Sequence, residues 1–194
     1  QKKIYSYDIQ RNYLKIEHKF RIGRGPLNYT IIDNIENFEN AIVFGEYFGN
    51  NSRKHVNIYK RNKKSEWEIV HTFKEGIINH IHSIIPDKYR NCLWIFAGDF
   101  DHSSSIWKVE NDFKKVERVL YGKQIYRACF GHPSAEGLIY ATDTQLEKNS
   151  IRILKNNNNN LVSEELYKIN GTCVYGANIF AFLRTHLYQD EFFP

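Results

Sequence analysis

Phe96-Ala97-Gly98-Asp99 closes the apolar run Cys92-Leu93-Trp94-Ile95 with a small residue and then a carboxylate. The same unit stands at Val43-Phe44-Gly45-Glu46 and at Tyr140-Ala141-Thr142-Asp143. A second strand-like run follows each copy, at 56–60, 105–109 and 150–154. A repeat of roughly 45–50 residues, filled with short strands and without a helical apolar stripe, is the pattern of a radially repeated β array. The units read as four strands each. The unit at 29–74 has 30–32, 41–48, 56–60 and 67–73. The unit at 79–121 has 80–85, 92–98, 105–109 and 115–120. The unit at 125–170 has 126–130, 138–142, 150–154 and 165–169.

Outside these units, 4–8 and 14–20 form a hairpin, and 172–175 with 179–184 opens a further unit. The spacing therefore predicts an all-β fold, a single β-propeller domain over residues 1–194. Its blades are four-stranded and antiparallel, with about four in view and with 4–20 and 172–185 as part-blades. Two arrangements are open: a four-bladed ring whose ends share a blade, hiding the strand edges, or a slice of a six- or seven-bladed ring. The chain contains no Met and begins with Gln, which favours the slice and reads as a piece of a longer protein.

The composition suits such a fold. Aromatic residues make up 15%, with 13 Tyr and 13 Phe, and flat rings pack well across pleated surfaces. A formal charge of +5 invites a nucleic-acid reading. The cations, however, are scattered over hairpin tips such as Lys60 to Lys64 and Lys114 to Lys115, without the basic stripe that tracks phosphates, so no nucleic-acid partner is expected. No run approaches the roughly 18–20 apolar residues of a membrane-spanning helix. Cys92, Cys129 and Cys173 are widely spaced and sit in apolar runs. They read as buried thiols, which slightly favours a reducing, cytoplasmic compartment and leaves localisation open.

The hairpin Val56-Asn57-Ile58-Tyr59-Lys60-Arg61-Asn62-Lys63-Lys64-Ser65-Glu66-Trp67 resembles the Asp-box, or bacterial neuraminidase repeat, of sialidase-like propellers. That box runs Ser/Thr-x-Asp-x-Gly-x-x-Trp between a blade's third and fourth strands. Lys60, Asn62, Lys64 and Trp67 take its four key places, of which Asn62 and Trp67 fit. Ile106-Trp107-Lys108-Val109-Glu110-Asn111-Asp112-Phe113 keeps only an acidic turn. Phe20-Arg21-Ile22-Gly23 is similar to the Phe-Arg-Ile-Pro motif of the same family with Gly for Pro. The resemblance implies a sialidase-like blade pattern. It implies sialidase chemistry far less, because the arginine triad is not evident.

Asn79-His80-Ile81-His82-Ser83 and Gly98-Asp99-Phe100-Asp101-His102 form the densest polar constellation. Two strand positions apart, His80 and His82 share a face. Such a pair serves as a sugar-contacting or proton-transferring couple, as two ligands of a divalent metal with Asp99 or Glu46 as the third, or as structural histidines bonded to backbone. No cofactor is otherwise expected. Glu46, Asp99 and Asp143 are candidates for the paired carboxylates of glycosidic cleavage, although a carboxylate after a strand also caps turns. Arg127, beside Ala128 and Cys129, needs an anion, either Asp99, Asp143 or a ligand. Tyr47 and Tyr126 add flat rings for stacking on sugars.

The resulting expectation is a carbohydrate-directed propeller, a glycoside hydrolase or lyase acting on an acidic glycan. Asp99, Glu46 and His82 are the catalytic candidates, and His80, Arg127, Asp143, Tyr47 and Tyr126 the substrate-binding ones. The alternative is a non-catalytic propeller scaffold that binds a protein or a glycan.

Overall fold

The structure is a computed structural model that describes residues 2–158 and 160–176. It is all-β. Fourteen strands and two short 3-10 turns make up its regular elements among the described residues. A two-stranded hairpin, β1 (Lys3–Asp8) and β2 (Tyr13–Lys19), precedes three four-stranded antiparallel sheets. Sheet I holds β3 (Thr30–Ile32), β4 (Ala41–Gly45), β5 (Val56–Arg61) and β6 (Trp67–Phe73) in chain order. Sheet II holds β7 (Ile81–Asp87), β8 (Cys92–Ala97), β9 (Ser105–Glu110) and β10 (Lys115–Tyr121). Sheet III holds β11 (Ala128–Pro133), β12 (Leu138–Thr142), β13 (Asn149–Asn157) and β14 (Asn160–Ile169).

Strand β8 shows why the sheets stack. All six of its residues are buried, a continuous apolar run of the kind a strand needs when both its faces are covered. Leu93, Ile95 and Ala97 join the core shared with sheet I, alongside Val43, Val56 and Ile58. Cys92, Trp94 and Phe96 join the core shared with sheet III, alongside Leu138, Tyr140 and Leu154. Sheet II is therefore the middle of a face-to-face stack. Outer strands carry a weaker demand: β6 and β10 are largely half-buried or exposed. The β1–β2 hairpin covers the other face of sheet I, where Phe20, Phe44 and Tyr59 cluster around His18.

The first strands of the sheets approach one another closely. A Cβ on Gly45 would lie 2.5 Å from the Ile81 side chain, so glycine is what lets sheet I meet β7. Across the same seam the Ile81 amide donates to the Glu46 carbonyl at 3.0 Å, and Thr30 Oγ1 donates to the Ile84 carbonyl at 2.7 Å. Sheets II and III are bolted by Asp87 and Arg90. Fully buried Asp87 pairs with the Arg90 guanidinium, which reaches the Ser134 and Ala135 carbonyls in the turn between β11 and β12 of sheet III.

Two expectations change. Residues 172–175 form no strand, although the Cys173 amide donates to the Thr142 carbonyl at 3.3 Å; 179–184 lie outside the described residues. Tyr126 and Arg127 are not on a strand: Gln124–Tyr126 is a 3-10 turn and Arg127 closes it. The three four-stranded sheets and the two-stranded hairpin match the repeat units read from the sequence, and no closed ring is found among the described residues.

Candidate functional site

The site sits where the first strands of sheets II and III begin. His80 lies one residue before β7 and His82 inside it, at a bulge. Ile81 pairs with Ala97 and Ser83 with Phe96, so His82 is the extra residue. Bulges re-aim side chains at strand ends. Sheet III has the same device, with Cys129 extra between Ala128 and Phe130. His80 thus corresponds to Arg127, and His82 to Cys129. One face collects the four side chains.

Asp99 returns over this face because Gly98 turns the chain with φ +78, in a space where a Cβ would lie 1.8 Å from the Ser103 carbonyl oxygen. The Gly98 amide donates to the His80 carbonyl at 3.0 Å, and Gln124 Nε2 donates to the Asp99 carbonyl at 3.1 Å. Both ends of the turn are therefore fixed. Its carboxylate lies 3.4 Å from His80 Nε2, 3.4 Å from His82 Nε2 and 3.3 Å from Arg127 Nη2. Asp143 Oδ2 is 3.9 Å from the same Arg127 nitrogen and accepts from the Cys129 thiol at 3.5 Å.

Each histidine is anchored through its other ring nitrogen. His80 Nδ1 is 3.0 Å from the Phe48 carbonyl and His82 Nδ1 is 3.1 Å from the Ala128 carbonyl. A carbonyl oxygen only accepts, so both Nδ1 atoms carry the proton. The two Nε2 atoms then face each other at 3.0 Å. Tyr47 lies against His80, ring centroids 4.3 Å apart, with the Arg24 guanidinium 4.7 Å above it. The Arg127 guanidinium lies over exposed Phe100 at 5.1 Å.

The protonation states follow from this packing. Burial pushes the His82 imidazole below its ordinary value, opposed by Asp99. Burial alone would raise the Asp99 pKa, but hydrogen bonds and charge from His80 and His82 in their protonated forms hold the carboxyl well below the usual range. Burial, with Asp143 alongside, pushes the Cys129 thiol far up, so it is no thiolate nucleophile. Arg127 is 7% exposed, and its Nε and Nη1 are buried without a hydrogen-bond partner among the described residues.

A scan against protein-family models, a search of curated proteins and a search of solved structures found no match to this chain. Its chemistry has to be read from the site.

Of the candidates named from sequence, His80, His82, Asp99, Arg127 and Asp143 come together, with Tyr47 beside them. Glu46 has other partners: Arg21 Nε and Nη2 donate to its two oxygens at 3.0 and 2.8 Å, and the Asn57 amide donates at 2.8 Å. Tyr126 is buried in the core between sheets II and III. The three carboxylates are not equivalent. The Asp143 amide donates to the Arg127 carbonyl as the Gly98 amide does to that of His80, so Asp143 takes the place of Gly98 and Thr144 that of Asp99. Phe100, Cys129 and Gln124 also belong to the site. Phe100 follows Asp99 and Cys129 lies two residues after Arg127 in sequence, which was the one signal available for them; Gln124 had none.

Proposed function

We propose that the chain is a carbohydrate-directed β-propeller array whose Asp99–Arg127 face binds the carboxylate of an acidic glycan. The observation that carries this reading is Arg127, a buried guanidinium with two nitrogens unsatisfied among the described residues, beside a partly exposed carboxylate. A buried donor left unpaired costs about 1–3 kcal/mol, more when charged, and a carboxylate ligand bound by the guanidinium fork removes that cost. Tyr47 and exposed Phe100 supply the flat apolar faces on which sugar rings stack. The propeller reading is supported by the stacked four-stranded sheets and by the hairpin between β5 and β6. There Asn62 Oδ1 accepts from the Lys64 and Glu66 amides at 2.9 and 3.0 Å, capping the turn where the Asp-box places its acid. Trp67 folds back onto Phe44.

For chemistry, Asp99 is held ionised. That state suits an electrostatic partner; it is too weakly basic for proton abstraction and does not suit the acid that protonates a leaving glycosidic oxygen. Elimination from an acidic sugar, where a cation neutralises the substrate carboxylate, fits the groups present better than hydrolysis.

A second reading has its own observation. Asp99 of sheet II pairs with Arg127 of sheet III, and His82 bonds to the Ala128 carbonyl, so the cluster also locks two sheets together in a non-catalytic scaffold. Calorimetric titration with uronate oligosaccharides and their carboxyl-reduced counterparts separates the two. The ligand site predicts affinity for the acidic form only, weakened about 100-fold in Arg127→Lys through loss of paired charged hydrogen bonds. Failure of every acidic oligosaccharide to bind, or equal binding of the reduced ones, refutes it.

A further inference from the structure

We propose that His80, His82 and Asp99 form a binding site for one divalent transition metal of the Zn2+ class, adjoining the Arg127 anion grip through Asp99. Three observations carry it. The first is the fixed tautomer. Because each Nδ1 donates to a backbone carbonyl, each neutral ring presents an Nε2 lone pair, and orienting a metal-binding histidine through its other nitrogen is the usual arrangement. Two lone pairs face one another at 3.0 Å beside a carboxylate. Such a geometry is repulsive unless a metal ion or a shared proton lies between them.

The second observation is the spacing of the three groups. The two Nε2 atoms are 3.0 Å apart, His80 Nε2 is 3.4 Å from Asp99 Oδ2 and His82 Nε2 is 3.4 Å from Asp99 Oδ1. The longer two exceed ordinary charge-assisted hydrogen bonds. Any two ligands at about 2.1 Å from one ion, subtending about 90–110° at it, lie about 3.0–3.4 Å apart, the range of each of these contacts. His80, His82 and Asp99 are also the one His/Cys/Asp/Glu group of this compactness among the described residues. Two imidazoles and a carboxylate leave at least one coordination position open, the composition of a catalytic rather than a closed structural site.

The third observation is charge and access. His80 and His82 are buried, and the Asp99 side chain, 21% exposed, is the wettest of the three, so the open position faces the Asp99 side. With neutral imidazoles, Asp99, Asp143 and Arg127 sum to a single negative charge. A divalent ion reverses the sign and, with Arg127, makes the mouth attractive to an anion. The competing explanation is one proton shared between the two Nε2 atoms.

Chelator-stripped protein titrated with Zn2+, and with Co2+ as the spectroscopic probe, decides between them without any glycan, so failure here leaves the anion-binding reading standing. The expected result is one equivalent bound, ligand-field bands for Co2+, and affinity at least about 100-fold weaker in His82→Gln and in Asp99→Asn. Wild-type protein that takes up no stoichiometric metal, or variants that bind as tightly as wild type, overturns the proposal. Should His82→Gln fail to fold, the wild-type His80 and His82 Nε2 resonances decide the matter. Movement of both on adding Zn2+ supports the site, and unchanged signals overturn it.

Discussion

Replacing Asp87 by Asn removes a single negative charge from the seam on which the site depends. Asp87 lies at 0% exposure, and its carboxylate accepts four hydrogen bonds. Oδ1 takes the Tyr89 and Arg90 amides at 3.0 and 3.2 Å; Oδ2 takes Arg90 Nη1 at 2.9 Å and Trp94 Nε1 at 2.8 Å. Asparagine preserves the Oδ1 side. Its amide nitrogen then confronts two donors, the indole N–H and the guanidinium, with nothing to offer either. Breaking one partner of a buried charge pair costs about 3–5 kcal/mol. For a chain of this length each kcal/mol moves Tm by about 2–4 °C, so the expected fall is roughly 6–20 °C. Differential scanning calorimetry measures it, and near-UV dichroism of Trp94 reports the local packing. Because Arg90 continues to the Ser134 carbonyl, sheets II and III should loosen together. A fall of less than about 2 °C would show that Asp87 is not the bolt described and refute the reasoning.

Gly98→Ala tests how Asp99 is placed: with φ +78 and a Cβ 1.8 Å from the Ser103 carbonyl oxygen, the turn must move, costing about 1–3 kcal/mol in chemical denaturation and abolishing acidic-glycan binding. Unchanged stability and binding would contradict that placement. Acid stability tests the hairpin seat, where Arg61 donates to both oxygens of Glu17 and holds its pKa at about 2, against 4.5 ordinarily. A depressed folded pKa stabilises the protein above the ordinary value, and that stability is lost as pH falls from about 4.5 towards about 2. Discounted for the partly exposed Arg61, it is worth about 1–2 kcal/mol. Urea melts across that window should show the loss in wild type and a flattened slope in Glu17→Gln; parallel slopes would refute the pairing.

What could be read from the sequence was local. The apolar run of β8 and the alternation in β5 and β9 set the strands within a residue or two, because side-chain period and turn residues act over short distances. The pairing of His80 and His82 on one face was legible for the same reason. Register was not. A single bulge residue, His82 in one sheet and Cys129 in the next, shifts which residues face the site. Ala97 pairs with Ile81 as Thr142 pairs with Ala128, so Asp143 lines up with Gly98, although the sequence repeat sets it against Asp99. Nor does spacing show that Gln124, bonded to the Asp99 carbonyl and to Thr144, draws Tyr126 and Arg127 into a turn. The engagement of Glu46 by Arg21 spans 25 residues and left no local mark either.

The most direct test of the ligand site is the Arg127 Nε–H resonance in 15N-edited spectra during titration with an acidic oligosaccharide. The account predicts that this buried, unpartnered N–H shifts strongly downfield as it donates to the sugar carboxylate, and that the carboxyl-reduced sugar leaves it in place. An Arg127 Nε–H that is unmoved by the acidic ligand, or moved equally by both, contradicts it.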